Sequence, residues 1–259
     1  MLVAADETTT PATNHTATVV TAPERAKFHV YVLMGQSNMV GRDTKGVDQQ
    51  VDTPRILALN GNGQWVVARE PMHVRGTGIG PGIPFAQHML EADPSVTIGL
   101  VPCAVGGTSL NRWMKGAELY EAAVRRAKMA SESGTLKGVL WHQGESDATS
   151  EKNATTYERR LTTMLIDLRQ DLGDARLPIV IGQIGEFLTK EKQPFADIVR
   201  DAIRSISSKL QNVGYADSAG LLDKGDKLHF SADAQREMGV RFAKAMAALQ
   251  TSATTRSAE

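Results

Sequence analysis

An α/β fold, with helices on both faces of a central parallel sheet of about five strands, is predicted for this 259-residue chain by three observations. Short apolar runs rich in Val, Ile and Leu alternate along the sequence with segments of helical period. The polar clusters follow those runs rather than interrupt them. No internal repeat or linker divides residues 27–250, which therefore read as one domain.

The elements follow in order. Phe28, Val30, Tyr31, Val32, Leu33 and Met34 make a first strand over 28–34. Pro84 suits the opening turn of a helix that runs through Glu91. A second strand at 96–101 precedes a helix at 119–129, and a third strand occupies 137–141. Tyr157, Leu161, Met164, Leu165 and Leu168 recur at helical spacing, as do Phe195, Ile198, Val199, Ala202, Ile206 and Leu210. Strands four and five fall at 178–184 and 213–217 around the second of these helices. Ser231 is placed as the N-cap of a last helix through Leu249. Residues 1–26, rich in Thr, Ala, Pro and Asn, read as a flexible leader or signal-peptide remnant, and 251–259 as a flexible tail. Met1-Leu2-Val3-Ala4-Ala5-Asp6 has Ala-Ala before a cleavage point but lacks a charged start and a full apolar core. A secreted or periplasmic location is on that ground slightly favoured over a cytoplasmic one.

Lys+Arg and Asp+Glu both number 29, so the formal net charge is zero, which argues against a nucleic-acid or anionic-membrane binder. No apolar stretch approaches the roughly 20 residues that span a bilayer. Aromatics make up 5%, too few for a broad carbohydrate-stacking platform. The one cysteine, Cys103, reads as a small buried apolar residue. His15, His29, His73, His88, His142 and His229 are scattered without metal-ligand spacing, so no metal or other cofactor is expected. The glycine-rich run 75–82 lacks the Gly-Lys-Ser/Thr ending of a phosphate loop and reads as a mobile rim loop.

Strands that alternate with helices pair in parallel through right-handed crossovers, and ligands then bind beyond their carboxyl ends. Each polar cluster lies there. Ser37, in Gly35-Gln36-Ser37-Asn38-Met39, follows the first strand, and Gly106-Gly107 follows the second. Gln143 and Glu145 follow the third, and Asp226 and His229 follow the fifth. A serine hydroxyl needs a base to become nucleophilic, and the imidazole of His229 suits that task because histidine titrates near neutral pH. Asp226, three residues earlier, is placed to hold the other ring nitrogen. Donors for a tetrahedral oxyanion are available from the Ser37 N–H, from a backbone N–H in the turn holding Gly106 and Gly107, and from the Gln143 side chain. Glu145 has three open roles: orienting His229, holding a loop, or binding a sugar hydroxyl. Gln36, Asn38 and Trp113 are the candidates for substrate contact, with a packing role equally open for Trp113.

Gly35-Gln36-Ser37-Asn38-Met39, Gly106-Gly107-Thr108 with Trp113, Trp141-His142-Gln143-Gly144-Glu145-Ser146-Asp147 and Asp226-Lys227-Leu228-His229-Phe230 together resemble the SGNH-hydrolase superfamily. Within it they are most similar to the sialate O-acetylesterase and carbohydrate esterase family six branch, which includes acetylxylan esterases. The resemblance spans roughly residues 28–249. It implies a three-layer α/β/α, flavodoxin-like fold with Ser37 as nucleophile, His229 as base and Asp226 in the acid position. It also implies that Gln143 takes the oxyanion role of the asparagine found in other branches, and that Glu145 shares or takes over the orienting of the histidine. The activity implied is removal of acetyl groups from acetylated sugars through an acetyl-enzyme. A lipase or thioesterase acting on longer acyl esters, and a carbohydrate-binding protein without turnover, are the alternative readings. None of these residues fixes the oligomeric state.

Overall fold

Parallel strands that are covered on both faces read as unbroken apolar runs rather than alternating ones. The computed structural model, which describes residues 18–257, shows this at its centre. Strand β1 (Phe28–Gly35) lies between β4 (Thr97–Pro102) and β5 (Thr135–His142), parallel to both. Strands β2 (Ile56–Leu59), β3 (Trp65–Val67), β6 (Ile179–Gly182) and β7 (Val213–Ala216) extend the sheet outward in the order β3-β2-β4-β1-β5-β6-β7.

Helices α1 (Ser37–Val40), α2 (Gly82–Ala92), α3 (Glu118–Ser133), α4 (Glu151–Thr155), α5 (Tyr157–Leu172), α6 (Ala196–Lys209) and α7 (Ala232–Ser257) complete the order. Successive side chains of a strand point to opposite faces. Phe28, Val30, Val32 and Met34 of β1 accordingly enter a core with α3, α5 and α6, and Tyr31 and Leu33 enter a second core with α2 and α7. Two cores on one sheet make the three-layer arrangement.

Among the described residues the sheet has seven strands, where the sequence suggested about five. The additional pair is a hairpin in which β2 and β3 run antiparallel. Its turn is built on Asn60, whose Oδ1 accepts the backbone N–H groups of Asn62 and Gln64, each at 2.9 Å. Strands of four and three residues are too short to show a period, but Asn60-Gly61-Asn62-Gly63 between apolar residues is a hairpin signal.

The chain ends also differ from expectation. Val19 bridges Val66 at the edge of the sheet, and the Val20 N–H donates to Trp65 O at 2.9 Å. Residues 18–20 thus lie along the edge strand; residues 1–17, including the signal-like start, are outside the described residues. Helix α7 is capped as predicted, the Ala234 N–H donating to Ser231 Oγ at 3.2 Å, but it runs to Ser257 and takes in most of the anticipated tail. No helix among the described residues is long and apolar enough to cross a membrane.

Nor is the glycine-rich run a free rim. Ile79 bridges Asp43 with its N–H donating to Asp43 O at 2.8 Å, so the run packs behind the turn that carries Ser37. Glu70 anchors that packing: its two carboxylate oxygens accept the N–H groups of Met72 and Gly80, both at 3.1 Å. Burial pushes its carboxyl up to about 7, against the lowering effect of those two bonds. A folded state that holds a proton up to about 7, beside an unfolded state that releases it near 4.5, gains stability that is full below the lower value and is lost as pH rises through the upper one. Relative to Glu70→Gln, the wild type should lose on the order of 3 kcal/mol between pH 4.5 and pH 8, as measured by urea unfolding. Parallel stability curves for the two proteins would overturn this.

Candidate active site

The carboxyl end of β1 terminates in Gly35 at φ +127°, a backbone conformation that side chains rarely adopt. A Cβ there would also collide with the His142 backbone of the neighbouring strand β5. The chain then turns sharply into α1, with Ser37 as its first residue and only 6% exposed. From the opposite end of the sequence, the loop after β7 delivers His229. Its Nε2 lies 3.1 Å from Ser37 Oγ, and its Nδ1 lies 2.8 Å from Asp226 Oδ2.

The Asp226 turn is itself fixed by its carboxylate. Oδ1 accepts the N–H groups of His229 at 2.8 Å and Leu228 at 3.0 Å, and Lys224 Nζ sits 3.2 Å from Oδ2. Partial burial raises the carboxyl, but the bonds from the His229 N–H and ring, from Leu228 and from Lys224 outweigh it. The net effect holds Asp226 well below the usual carboxylate range.

Glu145 makes no hydrogen bond to the imidazole, whose ring nitrogens face Asp226 and Ser37. Its Oε1 accepts Asn38 Nδ2 at 2.5 Å, and its Oε2 is buried without a partner among the described residues. Burial pushes this carboxyl upward, the Asn38 bond offsetting part of the effect. Asn38 passes the restraint on. Its Nδ2 also donates to Leu228 O, and its Oδ1 accepts the Phe230 N–H, both at 3.1 Å. The two residues flanking His229 are therefore clamped by one buried amide, which Glu145 holds in orientation.

Four of the anticipated site residues turn out to be spoken for. Gln143 Nε2 lies 3.0 Å from Gln36 Oε1, 3.0 Å from Thr108 O and 2.7 Å from Asp147 Oδ2. Two amide hydrogens face three acceptors, which leaves none for an oxyanion. Gln36 is turned inward by that bond and by the Ser146 N–H. Asn38 is fully buried in the clamp just described. Trp113 is also fully buried, edge-on to Trp141, and its indole N–H donates to Thr108 Oγ1 at 3.0 Å. These side chains brace the loops and do not face a substrate.

Backbone donors stay open beside them. Among the described residues the N–H groups of Ser37 and Gly106 donate no hydrogen bond. A Cβ on Gly106 would lie 3.7 Å from Ser37 Cβ, whereas the corresponding side of Gly107 (φ +70°) is empty space.

Three further bracing residues lie outside the site candidates that the sequence offers. Asp147, fully buried, accepts from the Leu110 N–H and Gln143 through Oδ2, and from Arg160 Nη2 at 2.7 Å through Oδ1. Tyr157 Oη donates to Gln143 O at 2.8 Å. His73 meets a need of the sheet: β2 has turned away at Asn60, so the Ala104 N–H has no strand partner and donates to His73 Nδ1 at 3.2 Å. Burial drives the His73 ring down to about 3, so it is neutral and its Nδ1 stays an acceptor.

A family model described as "Carbohydrate esterase, sialic acid-specific acetylesterase" matches residues 27–248 of this chain. A curated Arabidopsis thaliana protein named "Probable carbohydrate esterase" is 36% identical over 239 residues, covering 83% of this chain and 89% of that one. The crystal structure of an Arabidopsis thaliana protein superposes with a TM-score of 0.76 at 33% identity, over 85% of this chain and 98% of that one. NanS, at 20% identity and a TM-score of 0.72, covers 90% of this chain and 100% of its own, and speaks for the fold. Axe2, an acetylxylan esterase from Geobacillus stearothermophilus, shares the fold more distantly at 13% identity and a TM-score of 0.52, over 86% of this chain and 95% of its own. The resemblance carried by the four motifs thus extends to nearly the whole described chain, which belongs to the carbohydrate esterase family of sialic acid-specific acetylesterases.

Proposed function

We propose that this carbohydrate O-acetylesterase works by double displacement at Ser37. The observation that carries the reading is the continuous chain Asp226–His229–Ser37, with links of 2.8 and 3.1 Å, beside two unengaged N–H groups. Ser37 Oγ attacks the acetyl carbonyl carbon while its proton passes to His229 Nε2. The carbonyl π pair moves onto oxygen, where the Ser37 and Gly106 N–H groups receive it. Collapse of the tetrahedral species breaks the bond to the sugar oxygen, which takes the proton from His229. Water, deprotonated by the same ring, then attacks the acetyl-enzyme and releases acetate.

The family supports an acetylated sugar of the sialic acid type as substrate, and the likeness to an acetylxylan esterase keeps acetylated xylan in the test panel. Acetate release is expected from at least one of O-acetylated sialic acid and acetylated xylan, with acetyl esters cleaved well ahead of butyryl or longer ones. Efficient cleavage of long acyl esters without acetate release from any glycan would favour the lipase-like reading. Failure of a fluorophosphonate to label Ser37 would favour a binding protein.

A further inference from the structure

We infer that Arg42 is a catalytic group of this esterase, its guanidinium supplying the charged donor to the oxyanion. The inference rests on Ser37 being the nucleophile and goes beyond it. Gly106 is the first observation. Its backbone lies outside the left-handed region, unlike that of Gly107 at φ +70°, so conformation does not require glycine at 106. Space does. A Cβ on Gly106 would collide with Arg42 Nη2, and from the same point Ser37 Cβ is 3.7 Å away. The absent side chain leaves room for a guanidinium against the oxyanion loop, next to the nucleophile.

The second observation is how that guanidinium is held. Arg42 directly follows Gly41, the C-cap of α1, so it is carried on the same short turn as Ser37. Arg42 Nη1 donates to Arg75 O at 3.0 Å, which orients the planar group. Among the described residues Arg42 forms no ion pair, and Nη2 donates to no protein acceptor. Arg69 and Arg236, by contrast, are paired with Asp52 and Asp233. A fixed cation without a counter-ion beside an ester carbonyl favours the state in which negative charge has built up on that oxygen. It also fills a gap, because the Gln143 amide anticipated for that role is consumed inside the loops.

In the reaction the π pair of the acetyl carbonyl moves onto oxygen as Ser37 Oγ bonds to carbon, and Arg42 Nη2–H donates to that oxygen without giving up its proton. The bond is released when the carbonyl re-forms. The test uses Arg42→Ala and Arg42→Gln, the second keeping an amide donor for Arg75 O without the charge, on p-nitrophenyl acetate. Both should lower kcat about 10²-fold with KM changed less than about threefold. Methylboronic acid, which forms a tetrahedral anion on Ser37, should lose affinity by a similar factor, and millimolar guanidinium should restore part of the Arg42→Ala rate.

Three results would overturn the assignment. One is a kcat within about twofold of wild type in Arg42→Gln. Another is a loss confined to KM on acidic sugars, which would make Arg42 a substrate-recognition residue. The third is unchanged boronate affinity, which would make the effect structural. Full activity in Ser37→Ala would instead remove the underlying reading, whatever the Arg42 variants do.

Discussion

Ser37→Ala is expected to lower kcat for an aryl acetate by on the order of 10⁴-fold or more, with the fold intact. Among the described residues the hydroxyl has one partner, His229 Nε2 at 3.1 Å, and that ring is itself held from its other side by Asp226. Removing one oxygen from a helix-start residue leaves no cavity in either core, so Tm should stay within about 2 °C of wild type. The backbone N–H groups of the substituted residue and of Gly106 would still polarise a bound ester, so a residual rate above that of water should persist. His229→Ala should fall to a similar level, since nucleophile and base act as a unit. Turnover within tenfold of wild type in either variant, measured by continuous release of the aryl leaving group, would overturn the assignment of Ser37 and His229.

The second large effect is expected at Asp226, where Asn should cost about 10³- to 10⁴-fold in kcat. The reason is a tautomer. Asp226 Oδ1 holds two backbone N–H groups, which would fix the oxygen of an asparagine there and turn its NH₂ toward His229 Nδ1. The imidazole would then accept at Nδ1 and carry its hydrogen on Nε2, facing Ser37 with no lone pair to take a proton. Because His229 meets Asp226 directly and Glu145 only through Asn38, the loss should be far larger at Asp226. The depressed Asp226 carboxyl also has a sign in stability: its contribution is present above the usual carboxylate range and fades as pH falls through its lowered value. Asp226→Asn should therefore flatten the acid limb of the unfolding curve. Wild-type-like kcat in this variant would show that Glu145 suffices to orient the ring.

What the sequence made legible follows a physical division. The inner strands β1, β4, β5 and β6 are buried on both faces over most of their length and so carry apolar runs rich in Val, Ile and Leu, whereas the edge strand β7 is partly exposed. The β2–β3 hairpin and the four-residue α1 are too short for any period to register. At the site, Ser37, Asp226 and His229 stand out because their chemistry is rare outside its use and each follows a strand. Gln36, Asn38 and Gln143 lie in the expected neighbourhood but bond inward, and Trp113 takes the packing role that the sequence left open for it. An amide or an indole can bond inward or outward equally well, and the choice depends on which loops the sheet brings opposite it. Gln143 meets Gln36 because β5 lies beside β1, and Thr108 because the loop after β4 reaches it. Arg42 and His73 carry no sequence signal at all, since their partners are a space above Gly106 and a backbone N–H that a neighbouring strand fails to reach.

The segment that carries Asp226 and His229 has a consequence for how the enzyme comes into being. His229 reaches Ser37 across a separation of 192 residues, from a loop that begins only after the last strand. A ribosome therefore completes the Ser37 turn, Glu145 that pairs with Asn38, and all seven strands of the sheet before His229 has been made. Until α7 docks against α2 and brings that loop down onto Asn38, the emerging chain displays a serine that cannot shed its proton. On the proposed mechanism, esterase activity thus waits for the segment that follows the last strand, and chains that lack it are chemically silent.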